Sequence, residues 1–328
     1  MTTVTFMRRR RLLGNALTAS VSGASLLLLA ACGSASTTDP DANGAVTIPP
    51  GNDLASYYIT PVLCTDAQGP DCTKLPLGDT RFSTTGAAVG KLWSCTAANA
   101  NAPGSIRSRI TWIDDANGSW NLLRKPFLPA RTGTVTPGTI SVTEQSGTRN
   151  IVASSMPVDT KIGNWPMTGY AVLTAIDPNP GSPASRTVSF SLPMLPTVAT
   201  NPGCVSLGAI GVTLNGVVMY NAADARGNDA AAHEIVDVYG GHPAMTDYHY
   251  HFIPERLDAS RLADGHSGII GYIRDGYPIY GYHGIGGAEL RNTDLDECHG
   301  HSHGTLGYHY HATLEYPYTI GCYRGTPR

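Results

Sequence analysis

Short β-branched runs, broken by turn-forming residues, constrain the fold of this chain more than any other feature. Beyond residue 57, runs rich in Val, Ile and Thr alternate with clusters of Gly, Pro, Asn and Asp, as expected for strands joined by tight turns. The runs predicted as strands are 105–113, 138–142, 149–153, 169–176, 186–192 and 210–214. The sequence therefore predicts a mainly β protein, an antiparallel β-sandwich-like domain with few short helices.

Helical patterns are scarce in the same region. Only residues 224–238 look helical, because a run of alanines precedes His233, and residues 260–263 could add one turn. No segment has the pattern of a long amphipathic helix or of a βαβ repeat. Open α/β folds are therefore not expected.

Histidine is confined to one part of the chain. All eleven histidines of the 328 residues lie between His233 and His311. Eight of them form four compact groups: His242; His249 and His251; His299, His301 and His303; His309 and His311. Imidazoles concentrated in this way indicate metal ligation or proton transfer.

Two of these groups have the pattern Tyr-His-Tyr-His. On a strand, residues i and i+2 point to the same face, so His249 and His251 would be presented together as a bidentate pair. His309 and His311 repeat the pattern about 60 residues later. If the two pairs lie on neighbouring strands, they supply four imidazoles to one metal, or three and an open position. His242, in a Gly-His-Pro turn, is a natural additional ligand.

The remaining histidines are less specific. His299, His301 and His303 are spaced by Gly and Ser, which is equally compatible with extra metal ligands and with a solvated loop. Single histidines are more often surface or capping residues than ligands, and this interpretation applies to His233, His266 and His283.

Carboxylates near the histidines suggest supporting roles. Asp275 begins an Asp-Gly turn, and it could either form that turn or orient a ligating imidazole through the other ring nitrogen. The available donors are imidazole, carboxylate and phenol, which suit Cu(II), Zn(II) or nonhaem iron. We expect a divalent metal, with copper favoured over zinc.

The N-terminus predicts export. A basic run, Arg8 to Arg11, precedes an apolar stretch and the sequence Leu29-Ala30-Ala31-Cys32, which resembles a bacterial lipoprotein signal. We predict a signal peptide at 1–31, a lipidated Cys32, and a flexible tether at 32–56. The lipid would anchor the protein to the cell envelope, at the outer membrane, facing the periplasm or the exterior. The arginines fit a twin-arginine signal and a general export signal equally well.

Six cysteines follow Cys32, and an exported protein with an even number suits three disulfides. Sequence alone leaves 15 pairings open. Short loops favour Cys64 with Cys72 and Cys298 with Cys322, which would leave Cys95 for Cys204. Removing the four signal arginines from the 22 basic residues leaves 18 against 25 acidic ones. This acidic balance argues against a nucleic-acid partner.

Composition divides the exported part in two. All the histidines and 13 of the 16 tyrosines follow Pro202. We therefore predict a β-rich part at 57–200 that is continuous with a histidine-rich domain at 201–328.

The histidine-rich part resembles the YHYH domain family of secreted bacterial proteins. The motifs that carry the resemblance occur in order: 211–217, Val236-Asp237, 241–243, 248–251, 271–281, 295–298 and 316–322. The family is defined by sequence more than by activity, so the resemblance implies a domain type and no particular reaction.

The sequence leaves three functions open. The first is an envelope lipoprotein that captures or sequesters copper or zinc. The second is a metal-dependent enzyme, either a hydrolase or a copper or iron redox enzyme, for which the catalytic residues are unknown although Asp275 or Glu297 could serve as a base. The third is a structural or adhesive surface β module in which the histidines are incidental.

Overall fold

The computed structural model describes residues 53–328, and these all fall within one compact unit. The predicted signal peptide, Cys32 and most of the tether lie outside the described residues. The first part contains β1 (Leu75–Pro76), β2 (Phe82–Ser83), β3 (Leu92–Trp93), β4 (Ile113–Asp114), β5 (Ser119–Trp120), β6 (Ile140–Gln145), β7 (Thr148–Ala153), α1 (Ala171–Ile176) and β8 (Val188–Pro193).

The second part carries the histidines. It contains β9 (Ala209–Thr213), β10 (Val218–Tyr220), α2 (Ala230–His233), β11 (Gly241–Ala244), β12 (Asp247–Tyr250), β13 (Ile269–Ile273), β14 (Pro278–Tyr280), β15 (Gly300–His303) and β16 (Gly307–His311). The prediction of a mainly β protein with few short helices is confirmed. Within residues 53–328, no helix is both long and apolar enough to cross a bilayer.

Four of the six predicted strands are correct, and two are wrong. The runs at 138–142, 149–153, 186–192 and 210–214 become β6, β7, β8 and β9. Residues 169–176 instead form α1, in which Leu173 and Ile176 are buried three positions apart on one helical face. Residues 105–113 contain a 3₁₀ turn at Arg107–Arg109, and only their last residue enters a strand.

The predicted helix at 224–238 is mostly wrong. Only α2 is helical, with the Asp229 side chain accepting from the Ala232 amide at its N-terminus. The chain then leaves the helix because tertiary partners bind its backbone. The Ile235 amide donates to the Asp177 carboxylate, and the Val236 carbonyl accepts from the Leu128 amide.

An eight-stranded sheet forms the centre of the protein. Its order is β11-β12-β10-β9-β13-β14-β16-β15. Most neighbours are antiparallel, as predicted, but β12 runs parallel to β10, and β16 runs parallel to β14. Both parallel pairs place a histidine-bearing strand beside a central hairpin.

The sheet consists of two similar four-strand units, β9–β12 and β13–β16. They meet at β9 and β13, where Val212 is paired with Tyr272 at the centre of the register. Going outward from this pair, the strand register of the first unit is repeated in the second. Tyr250 is paired with Met219 in the first unit, as Tyr310 is with Ile279 in the second. The two units are thus related by an approximate twofold axis between β9 and β13.

The two faces of the sheet are covered differently. One face carries the main core, which includes the motif tyrosines Tyr248, Tyr250 and Tyr310. On the other face, β6–β8 form a three-stranded antiparallel sheet whose side chains pack against Val212 and Val218. This second layer gives the sandwich-like arrangement.

Three disulfides connect the described residues: Cys64–Cys72, Cys95–Cys204 and Cys298–Cys322. The pairing favoured by loop length is therefore confirmed. The Cys95–Cys204 bond joins chain segments 109 residues apart. It links the β-rich first part to the histidine-bearing part.

Candidate metal centres

The two His-x-His pairs lie in separate clusters. Four strands, β10, β9, β13 and β14, lie between β12 and β16 in the sheet, so the expectation of one shared centre is wrong. The first cluster contains His242, His249 and His251, and the second contains His266, His301, His309 and His311. Within each cluster, one ligand atom per residue lies within 4.8 Å of all the others.

Strand alternation separates the histidines from the tyrosines of each motif. Tyr248 and Tyr250 point into the main core, whereas His249 is paired with Val218, whose side chain belongs to the opposite face. The tyrosine hydroxyls make structural hydrogen bonds. Tyr248 donates to Asp237 at 2.8 Å, and Tyr308 donates to Asp296 at 3.1 Å. The tyrosines thus hold each strand from the face opposite the histidines.

A hairpin supplies one further histidine to each cluster. In the β11–β12 hairpin, His242 lies directly across from His249, and their ring centroids are 4.4 Å apart. In the β15–β16 hairpin, His301 lies directly across from His309 at 4.8 Å. The cross-strand register, not the loop spacing, therefore brings these residues to the motif histidines.

In the first cluster, backbone carbonyls fix the imidazole orientation. His249 Nδ1 donates to the Asp247 carbonyl at 2.8 Å, and His251 Nδ1 donates to the Asn221 carbonyl at 2.5 Å. Because a carbonyl only accepts, each Nδ1 carries the hydrogen and each Nε2 keeps a lone pair in the neutral ring. The two Nε2 atoms face each other at 3.1 Å.

The second cluster repeats this arrangement. His309 Nδ1 donates to the Gly307 carbonyl at 2.9 Å, and His311 Nδ1 donates to the Gly281 carbonyl at 2.7 Å. His311 Nε2 faces the Nε2 of His266 at 3.0 Å. Backbone acceptors of this kind set the tautomer that presents Nε2 to a metal.

His266 belongs to the second cluster and is buried, so the surface or capping role predicted from its isolation in the sequence is wrong. Its Nδ1 donates to the Ser267 carbonyl at 2.7 Å, so its Nε2 is also available. The residue precedes β13 and lies 45 positions before His311. Its place depends on tertiary folding, and no spacing in the sequence signals it.

Burial keeps these imidazoles neutral. Loss of hydration lowers the pKa of His242 and His249 well below the usual range, and it lowers the pKa of His251 to about 4. In the second cluster, burial lowers the pKa of His309 to about 3. At neutral pH the clusters therefore present lone pairs, which is the form that binds metal.

His301, His303 and His299 have different environments. His301 is a member of the second cluster, and the His303 ring lies 4.7 Å from that of His266 at the cluster's partly exposed side. His299 is fully buried, and its Nε2 lies 3.0 Å from the Thr313 hydroxyl. Residues 300–303 of the predicted loop form β15, and His299 lies just before it. The three histidines therefore do not form one ligand set.

The other single histidines lie apart from both clusters. His233 Nε2 is 2.8 Å from an Asp79 carboxylate oxygen, and His283 Nδ1 is 2.9 Å from an Asp258 carboxylate oxygen. Neither belongs to a group of residues placed to hold a metal among the described residues. Both therefore lie outside the candidate ligand sets, but His233 is buried and is not the surface residue that the sequence predicted.

Asp275 supports a tyrosine and not an imidazole. Its carboxylate accepts from the Tyr310 hydroxyl at 2.5 Å and from the Gly325 amide at 2.9 Å. In the first unit, Asn215 occupies the matching turn and donates to the Tyr250 hydroxyl at 3.3 Å. The turn residue thus anchors the motif from its tyrosine side in both units.

Comparison with known proteins supports the resemblance found in the sequence. Residues 189–289 match the YHYH protein family. The match covers β9–β14 with the first Tyr-His-Tyr-His motif, and it ends before β15 and β16. The YHYH resemblance is therefore confirmed for the first unit and for part of the second. No curated protein and no solved structure matches the chain.

Proposed function

We propose that this protein captures copper or zinc in the cell envelope, binding one metal ion at each of its two histidine clusters. We call the first cluster with its ion the first centre, and the second cluster with its ion the second centre. The proposal keeps the divalent metal expected from the sequence but replaces one shared site by two.

One observation carries the proposal. In each cluster, two Nε2 lone pairs face each other at 3.0–3.1 Å while both Nδ1 atoms are held by carbonyls. Two lone pairs at this distance repel, and burial opposes relief by protonation. A metal ion between them converts the repulsion into two bonds. Imidazole nitrogens bound to one tetrahedral zinc at about 2.0–2.1 Å would be roughly 3.3–3.4 Å apart.

Two cavities among the described residues bear on whether the clusters support turnover. A small apolar cavity lies beside Lys125 and Tyr318, and a surface recess lies at 131–139. Neither is lined by a histidine of either cluster. Enzymes usually bind substrate in a concave pocket next to the metal, so these cavities give no support to catalysis at the centres.

The envelope location is supported by two independent features. The lipoprotein-like signal ending at Cys32 predicts export and lipid anchoring. Three disulfides among residues 53–328 suit an oxidising compartment. A membrane-associated wild-type protein and a released Cys32→Ala variant would support the anchor, whereas equal partitioning would contradict it.

Metal analysis of the whole protein tests the proposed binding. We expect protein isolated from its export compartment under metal-replete conditions to retain close to two equivalents of copper or zinc and to lose them to a chelator. His283→Gln provides a matched control, since it removes a histidine outside both clusters and should keep both ions. Retention of no metal by the folded wild-type protein would overturn the proposal.

A further inference from the structure

Glu234 lies at the edge of the first cluster without a hydrogen-bond partner for its inner oxygen. Its Oε2 is buried and makes no hydrogen bond. The same atom lies 3.3 Å from His242 Nε2 and 3.6 Å from His251 Nε2. The Lys125 ammonium donates to the backbone carbonyl of Glu234 and not to Oε2. A buried carboxylate oxygen without a hydrogen-bond partner is costly, and a cation bound beside it would remove that cost.

Three separations among the donor atoms are close to those of a single coordination sphere. His249 Nε2 lies 3.1 Å from His251 Nε2, and Glu234 Oε2 lies 3.3 Å from His242 Nε2 and 3.6 Å from His251 Nε2. Glu234 is not among the residues whose ligand atoms all lie within 4.8 Å of one another, so its side chain must shift toward His249 to complete the sphere. Ligands of one tetrahedral ion at about 2.0–2.1 Å would lie roughly 3.3–3.4 Å apart. We propose that Glu234 is the fourth ligand of the first centre, which therefore binds divalent ions through three imidazoles and one carboxylate.

The second centre has a different donor set. Asp237 corresponds to Asp296, since each accepts from the glycine amide that opens the histidine hairpin, but the segment before Asp296 is one residue shorter and places no residue directly at the position of Glu234. The fourth donor there is His266, which is neutral. A carboxylate cancels one unit of charge on a buried divalent ion, whereas four imidazoles cancel none. The inference rests on the proposed function and adds that the two centres differ in selectivity.

A single-centre background isolates the effect of Glu234. In the full-length His309→Ala/His311→Ala chain, metal can bind only at the first centre. We compare Glu234→Gln in this background by competition against chromophoric chelators, using Zn(II) and the redox-stable monovalent ion Ag(I). The expected result is at least tenfold weaker Zn(II) binding and less than threefold change in Ag(I) binding. Glu297→Gln, an acid outside both clusters, is the matched control and should change neither.

The two probes separate ligation from structural damage. Equal weakening of Zn(II) and Ag(I) would show that Glu234 only supports the fold, and unchanged Zn(II) affinity would show that it is not a ligand. Either result would overturn the inference while leaving two-centre capture intact. Absence of metal from the wild-type protein would instead overturn the proposed function.

Infrared difference spectroscopy provides a measurement that needs no Glu234 variant. Zinc binding to the single-centre chain should shift carboxylate stretching bands if Glu234 becomes a ligand. An unchanged carboxylate region on binding of zinc would overturn the assignment even if Glu234→Gln failed to fold.

Discussion

The two halves of the eight-stranded sheet use the same backbone to build different histidine clusters. Both place a Tyr-His-Tyr-His strand beside a hairpin partner and hold its imidazoles through the same backbone carbonyl positions. They differ in the residue that reaches each cluster from outside the β11–β12 and β15–β16 hairpins. Glu234 approaches the first cluster, and His266 joins the second. The strand register conserves the paired imidazoles, whereas connecting segments set the chemistry around them.

The halves also differ in how the histidine hairpin is anchored. In the first half, the fully buried Asp237 accepts hydrogen bonds from Gly163, Trp165, Tyr239, Gly241 and Tyr248. In the second half, the corresponding Asp296 accepts three, and the Cys298–Cys322 disulfide lies beside it. Hydrogen bonds to Asp237 thus anchor the histidine hairpin of the first half, whereas a disulfide contributes to this anchoring in the second half.

Removal of this disulfide should have the largest effect on stability. The Cys298→Ala/Cys322→Ala variant opens a loop of 24 residues, and we expect a loss of about 3 kcal/mol in the free energy of unfolding. Denaturant titration measures this loss. Zinc affinity should fall at the second centre and stay nearly constant at the first. Equal weakening at both centres would contradict independent anchoring.

Replacement of the anchoring aspartate should lower the free energy of unfolding more in the first half than in the second. Asp237→Asn places an amide among five donors and should cost about 2 kcal/mol, compared with about 1 kcal/mol for Asp296→Asn, because fewer donors lose their acceptor there. Denaturant titration of both variants gives the difference. A larger cost for Asp296→Asn would reverse the proposed division of anchoring.

Removal of the His266 imidazole should have a smaller effect, which is confined to zinc binding at the second centre. His266→Ala removes one of four imidazoles, so we expect roughly tenfold weaker zinc binding at the second centre, about 1.4 kcal/mol. Calorimetric titration of the His249→Ala/His251→Ala background measures that centre alone. His283→Ala in the same background is the control. Unchanged affinity after loss of His266 would remove it from the ligand set.

Sequence reasoning predicted what depends on local patterns. Alternation along a strand placed His249 with His251 and His309 with His311, and loop length favoured the correct cysteine pairs. It could not show that four strands separate the two pairs, because strand order is a property of the whole sheet. For the same reason it missed His266. The helix predicted at 224–238 failed because bonds from Asp177 and Leu128 outweigh helix propensity after His233.

The number of zinc ions bound by each histidine-pair variant tests the central claim most directly. Native mass spectrometry of the full-length protein should give two ions for the wild type and one each for His249→Ala/His251→Ala and His309→Ala/His311→Ala. The variant lacking all four histidines should bind none. A wild-type protein with one ion, or the loss of every ion from either double variant, would contradict two separate centres and restore a single shared one.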